Sequence, residues 1–319
     1  MRAITSKSSA IIRPNLTTSY PSPDFNVWAG LITLYFVWGS TYLAIRFVVE
    51  SVPPMLVSGM RTTLAGLILF SFGKFFGKNF VKPTIKDWKL ATLTGLLMIT
   101  IGNGAISFAA RLVPSGLSAL FGAQVPVLMT IMTWYLDKKR PSYQVILGCM
   151  VGIIGVGYLM SLSHLALDGK EAYFGWGIFF MMLGGISWSI GVMITSRATY
   201  QLTPATLSGM QLLIGGVVSL VISGLLGDFS RVEPLSLTSK PVLSFLYLLS
   251  FGSLLGFSVF GWLTQKADPT MVSTYTYVNP LVAITLGFLL AGEALNPQML
   301  IAASLIVGAV VLITRGKKK

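Results

Sequence analysis

Charge is scarce in this chain. Only 10% of its 319 residues are charged while 54% are hydrophobic, against about 25% charged in an average soluble domain. Such a chain cannot keep a folded surface wet, but it suits a protein whose outer surface meets lipid. Cysteine is limited to Cys149, which excludes an intrachain disulfide and a cysteine metal cluster. Histidine is limited to His164, at the end of an apolar run. The ten acidic residues, from Asp24 and Glu50 to Asp268 and Glu293, fall between apolar runs or at their ends. No carboxylate or imidazole is therefore left in mid-run to carry a proton. Clustered metal ligands, a Ser/His/Asp set and a phosphate-binding glycine loop are missing too. The expectation is no catalytic residue, no cofactor and no metal. A polytopic membrane enzyme acting on lipid-borne groups stays as the alternative reading.

Apolar length is what the chain has in plenty. A helix needs about 20 apolar residues to cross the hydrocarbon core. Ten stretches qualify: 26–48, 55–73, 90–110, 114–136, 142–163, 173–195, 204–226, 241–263, 270–291 and 297–314. Prolines 54, 114, 141, 204, 241, 269 and 297 stand at or just before these starts, where a missing N–H costs least. Pro126 and Pro280 instead fall mid-span and should bend their helices where a cavity would lie. The fold class expected is an all-α membrane protein of ten transmembrane helices, with the lipid bilayer as partner. The net charge of +13 comes without a basic-aromatic stripe, so nucleic acid is not an expected partner. Most basic residues, including Lys74, Lys78, Lys82, Lys86, Lys89, Lys138, Lys139, Arg140 and Lys317–Lys319, share one side of the ten-span plan. That asymmetry predicts cytoplasmic termini: residues 1–25 as a polar tail and 315–319 as a basic tail of a multi-pass inner-membrane protein.

The chain also repeats itself. Trp38, Pro54, Ser58-Gly59-Met60 and Gly66 recur as Trp188, Pro204, Ser208-Gly209-Met210 and Gly216, at a constant offset of about 150 residues, a period long enough for a whole transporter half. An odd number of spans separates the copies, so the second half, 173–314, should be upside down relative to the first, 26–163. Inverted halves are how many secondary transporters build alternating access around a central site. Gly148-x-x-x-Gly152 and Gly252-x-x-x-Gly256 are small-residue contacts, within the bundle or in a dimer; monomer and homodimer both stay open.

Polar residues within apolar runs mark the candidate substrate site. Arg61 lies about 10 Å into the second span, at about 1.5 Å per residue. In lipid it would cost about 2.5–3.5 kcal/mol, so it should face the bundle, either toward a substrate anion or toward helix-end carbonyls as a clamp. Tyr35, Trp38 and Tyr42 share one face of the first span; Tyr275 and Asn279 share one face of the ninth. Trp188 sits between Ser187 and Ser189, while Asn103, Gln124 and Gln211 add amides in spans 3, 4 and 7. Aromatic residues at helical spacing are ordinarily packing; joined by buried amides and hydroxyls that need partners, they suit a pocket. Substrate-binding residues are thus expected among Trp38, Tyr42, Arg61, Asn103, Gln124, Trp188, Gln211, Tyr275 and Asn279, with a small-molecule substrate.

From about Asn26 to Thr314 the chain resembles the EamA-type branch of the drug/metabolite transporter superfamily. Carrying the resemblance are Trp38-Gly39-Ser40-Thr41-Tyr42, the second-span pattern ending in Arg61, the Tyr275–Pro280 segment, and Gly292-Glu293 before Gln298. It implies two inverted five-helix repeats, a central cavity lined mainly by spans 1–4 and 6–9, and spans 5 and 10 as peripheral supports. It also implies transport of small metabolites, amino acids or amphipathic drugs, commonly outward. The chain departs from the pattern in having Lys138-Lys139 where the second half has Glu293. It also lacks the membrane-embedded glutamate of the four-helix multidrug relatives, so facilitated diffusion, exchange and proton coupling all stay open.

Overall fold

The computed structural model describes residues 22–49, 51–76, 80–109, 122, 124–138, 140–162, 171–232, 238–291 and 298–316. The N-terminal tail to residue 21, Glu50, the start of the fourth expected span with Arg111 and Pro114, His164, Gly292-Glu293 and Lys317–Lys319 lie outside them. The described residues form an all-helical bundle. Its helices are α1 (Phe25–Val49), α2 (Pro54–Phe76), α3 (Ile85–Ala109), α4 (Gln124–Asp137), α5 (Tyr143–Leu162), α6 (Glu171–Arg197), α7 (Pro204–Leu225), α8 (Ser239–Lys266), α9 (Tyr275–Ala291) and α10 (Gln298–Gly316). Seven helices are long and apolar enough to cross a membrane: α1, α2, α3, α6, α7, α8 and the Pro269–Leu290 stretch containing α9. Tyr143–Gly155 and Ser304–Gly316 are shorter apolar helices. Large apolar side chains such as Phe36, Phe72, Phe179 and Leu289 stand exposed on the outer faces, as a lipid-facing surface requires.

Local chemistry sets the helix ends. Thr84 accepts from Asp87 N–H while the Asp87 carboxylate accepts from Thr84 N–H, a reciprocal capping box at the start of α3. Thr203 caps α7 ahead of Pro204, and Asp268 caps the turn Pro269–Val272 that leads into α9. Gly227 ends the α7 segment at φ 71°, a left-handed conformation that glycine adopts without steric penalty.

Close packing pairs α2 with α7. A Cβ at Gly59 would meet Leu220, one at Gly66 the backbone of Leu213, one at Gly216 Thr63, and one at Gly209 Phe70. As numbers rise along α2 they fall along α7, so the two helices run antiparallel. α5 and α10 pair likewise: Gly148 meets Ile313, Gly155 meets Ile306 and Gly316 meets Val145. Small residues let these backbones approach without side chains between them. The two small-residue motifs read from sequence are spent inside the bundle. Gly148 lies against α10, Gly152 under the Tyr277 ring, Gly252 against Thr41 and Gly256 against the Trp38 indole.

α3 and α8 are not uniform helices. Each carries a wider-turned π segment, Leu96–Asn103 in α3 and Leu248–Leu255 in α8, a distortion that often marks a functional stretch. A carbonyl in each is taken by a side chain from the other half of the chain. Ser187 Oγ donates to Leu97 O at 2.7 Å, and Trp38 Nε1–H to Gly252 O at 3.0 Å.

Candidate functional site

The π segments and the aromatic face of α1 meet around a cavity of about 110 Å3. It lies in the half of the bundle where α1 ends and α2 begins, hereafter the Val49 side. Toward the opposite, Asp24 side it is closed by a packed core that includes Leu31, Leu34, Met129, Met193, Leu263 and Met271. Tyr35 Oη and Thr274 Oγ1 hydrogen-bond at 2.8 Å within that closure. Nearer the Asp24 side, Arg197 Nη1 and Asp137 Oδ1 pair at 2.7 Å, tying the end of α6 to the end of α4.

The cavity floor is aromatic. Trp38 meets Trp188 edge-on at 5.7 Å between centroids, Tyr275 at 4.7 Å and Phe257 at 5.5 Å. Edge-to-face geometry is favourable for such rings beyond the area they bury. Phe257 was not distinguishable from packing in the sequence.

Eight of the nine residues singled out from sequence line this cavity: Trp38, Tyr42, Arg61, Asn103, Gln124, Trp188, Tyr275 and Asn279. Gln211 is the exception. It is buried in the closed half, and its Nε2 donates to Thr94 Oγ1 at 2.8 Å and to Thr195 Oγ1 at 3.1 Å. Its amide is used to join α7, α3 and α6, so it is a packing group in this conformation. A lone amide in an apolar run signals burial, but the run does not say which hydroxyls will face it.

Arg61 is buried to 6% exposure and borders the cavity beside Gly252. Among the described residues nothing hydrogen-bonds or ion-pairs with its guanidinium, so no clamp to helix-end carbonyls forms there. Two amide oxygens of cavity-lining residues are likewise unused. Gln124 Nε2 donates to Met181 O at 3.2 Å, leaving Gln124 Oε1 without a donor. Asn279 Oδ1, beside the Tyr42 hydroxyl, also lacks one. Pro126 and Pro280 have no N–H to offer the carbonyls four residues earlier, those of Gly122 and Thr276. Both residues line the cavity, and a Cβ at Gly122 would meet Thr276.

No group of three or more His, Cys, Asp or Glu side chains that could hold a metal occurs among the described residues. The site is thus a concave, aromatic-floored pocket with a few convergent polar groups, the general form of a small-molecule site.

The chain matches the EamA-like transporter family over residues 27–161 and again over residues 175–315. It belongs to that family. Among curated relatives, this EamA chain is 35% identical to the uncharacterized inner membrane transporter YedA of Escherichia coli (strain K12) over 297 residues, covering 91% of each. It is 29% identical to Protein PecM of Dickeya dadantii (strain 3937), covering 87% of this chain and 88% of PecM. A solved crystal structure at 17% identity superposes with a TM-score of 0.72 over 91% of this chain and 97% of the other, a likeness of fold alone. The EamA assignment makes the chain a multi-pass membrane transporter, not an enzyme.

Proposed function

We propose that this chain is a secondary transporter that moves small organic solutes outward by alternating access. Its cavity is the solute site, with Trp38, Tyr42, Arg61, Asn103, Gln124, Trp188, Tyr275 and Asn279 as contacts. The observation that carries this reading is a cavity built by helices from both matched segments, set in the Val49-side half and backed on the other side by a packed core. A channel would need a path through both faces; a carrier needs one face closed at a time.

The reading includes ten spans in two inverted five-helix repeats. Its support is the antiparallel pairing of α2 with α7 and of α5 with α10, each helix with its counterpart in the other repeat. Counterparts that pack in opposite directions are what an inverted repeat requires. Both termini are then cytoplasmic by the basic-residue asymmetry, which puts the Val49 side outside. YedA's name as an inner membrane transporter supports the same location here.

The test is flux in proteoliposomes across a panel of metabolites and amphipathic drugs. The expected result is saturable flux of at least one solute with trans-stimulation by the same solute. Non-saturable leakage for every solute would sink the carrier reading.

A further inference from the structure

The structure assigns the cavity a ligand class: small organic monoanions that also carry a neutral O–H or N–H donor and an apolar body. This inference rests on the reading of the cavity as the solute site. The anionic group belongs at Arg61. Its guanidinium is over nine-tenths buried, borders the cavity, and has neither a hydrogen bond nor an ion pair among the described residues. An unpaired buried charge is costly, and an opposite charge in a low-dielectric site offsets it strongly. A carboxylate fits the guanidinium fork with two parallel hydrogen bonds.

The donor belongs at the unused amide oxygens that line the cavity. Gln124 Oε1 and Asn279 Oδ1 are buried without a donor. These two groups are acceptors, and neither carries a negative charge. A hydroxyl or amide N–H satisfies them at small desolvation cost. An ammonium sheds far more hydration than neutral carbonyls return, and it is repelled by Arg61. No carboxylate among the described cavity-lining residues neutralises it. The aromatic floor of Trp38, Trp188, Tyr275 and Phe257 receives the apolar body. Net anions are therefore preferred to zwitterions, and zwitterions to cations.

Three probes with one apolar body separate these classes: 3-phenyllactate, phenylalanine and phenethylamine. Binding to the purified chain in an uncharged detergent, which removes anionic lipid headgroups as competitors, is read from tryptophan fluorescence. The expected order is 3-phenyllactate first, by about tenfold or more over phenylalanine, with phenethylamine weakest. Adding an anionic phospholipid should not displace 3-phenyllactate; displacement would mean that Arg61 is a lipid headgroup site, which overturns the inference. Arg61→Gln should remove most of the 3-phenyllactate preference, and Arg61→Lys should restore part of it. The head-group series on the unaltered chain decides the matter even if both variants misfold. Equal or tighter binding of phenylalanine or phenethylamine overturns the anion class, as does no saturable binding by any of the three. Binding in the expected order without flux in proteoliposomes would keep the anion site and remove the carrier reading. Flux of neutral solutes without anion preference would do the reverse.

Discussion

Arg61 and Gln211 stand at matching positions of two packed antiparallel helices, and their surroundings are opposite. Arg61 borders the cavity without a partner among the described residues, while Gln211 is sealed with its amide donated to Thr94 and Thr195. If the halves exchange conformations during transport, the environments of these two residues exchange with them. Cys149, the single cysteine, is buried, so introduced thiols can be read against a quiet background. In the conformation described here, Ile45→Cys should react quickly with a membrane-impermeant thiol reagent added on the Val49 side, and Gln211→Cys should not react from either side. Adding a transported solute should slow the first and expose the second to reagent on the Asp24 side. Reaction of Gln211→Cys as fast as Ile45→Cys without solute would contradict the closure.

The α2–α7 contact should tolerate no added volume. A Cβ at Gly66 would fall on the Leu213 backbone and one at Gly216 on Thr63, and backbone cannot rotate away as a side chain can. Gly66→Ala and Gly216→Ala are each expected to cost about 1–3 kcal/mol by overpacking. A Cβ at Gly157 would meet nothing within 4 Å, so Gly157→Ala should instead gain about 0.5–1 kcal/mol of helix propensity. Thermal unfolding in detergent separates the two; a neutral Gly66→Ala would mean that α2 and α7 do not rely on this approach.

Trp38 holds the cavity floor by two means, its rings and its N–H. Trp38→Phe keeps an aromatic face but leaves Gly252 O, in the π segment of α8, without its donor. The expected loss is about 1–3 kcal/mol, the range for a buried acceptor left unsatisfied, with weaker solute binding. Trp38→Ala should lose more, through the contacts with Trp188 and Tyr275 as well. Trp38→Phe behaving like the unaltered chain in unfolding and binding would show that the hydrogen bond contributes nothing, and equal losses in the two variants would show that the ring contacts contribute nothing.

Much of this arrangement could be read in the sequence because a membrane makes polarity conspicuous. Runs of apolar residues marked α1, α2, α3 and α6 to α9, and an arginine or amide inside such a run had to be buried, which pointed to Arg61, Asn103, Gln124 and Asn279. Apolar lining residues such as Ile45, Ile106, Met181 and Phe257 could not be read, since an apolar side chain in an apolar helix looks the same facing a cavity, a neighbour or lipid. The π segments were equally hidden: they arise where α3 and α8 give carbonyls to Ser187 and Trp38, partners distant in sequence. Gln211 was misplaced for the same kind of reason. Which half of the bundle is closed depends on the packing of whole helices, not on any residue's own neighbours in the chain.

The closed face offers the last test. Arg197 and Asp137 are only 13% and 20% exposed, and they join helices that must separate if a path is to open on the Asp24 side. Arg197 is steadied further by Met193, whose sulfur accepts from Nε at 3.1 Å. Asp137→Asn removes the charge while keeping side-chain shape, and Arg197→Gln removes it with a shorter side chain, so each should loosen that face. The readout is the thiol reactivity of Gln211→Cys from the Asp24 side, which should rise about fivefold, the equivalent of about 1 kcal/mol. The double variant Asp137→Arg with Arg197→Asp restores the pairing with charges exchanged, and it should return reactivity toward the starting level. A structural disturbance unrelated to charge would not be repaired by that exchange. Unchanged reactivity in both single variants would mean that the apolar core around Met193 and Leu263 closes the face alone, leaving the ion pair as an interfacial contact.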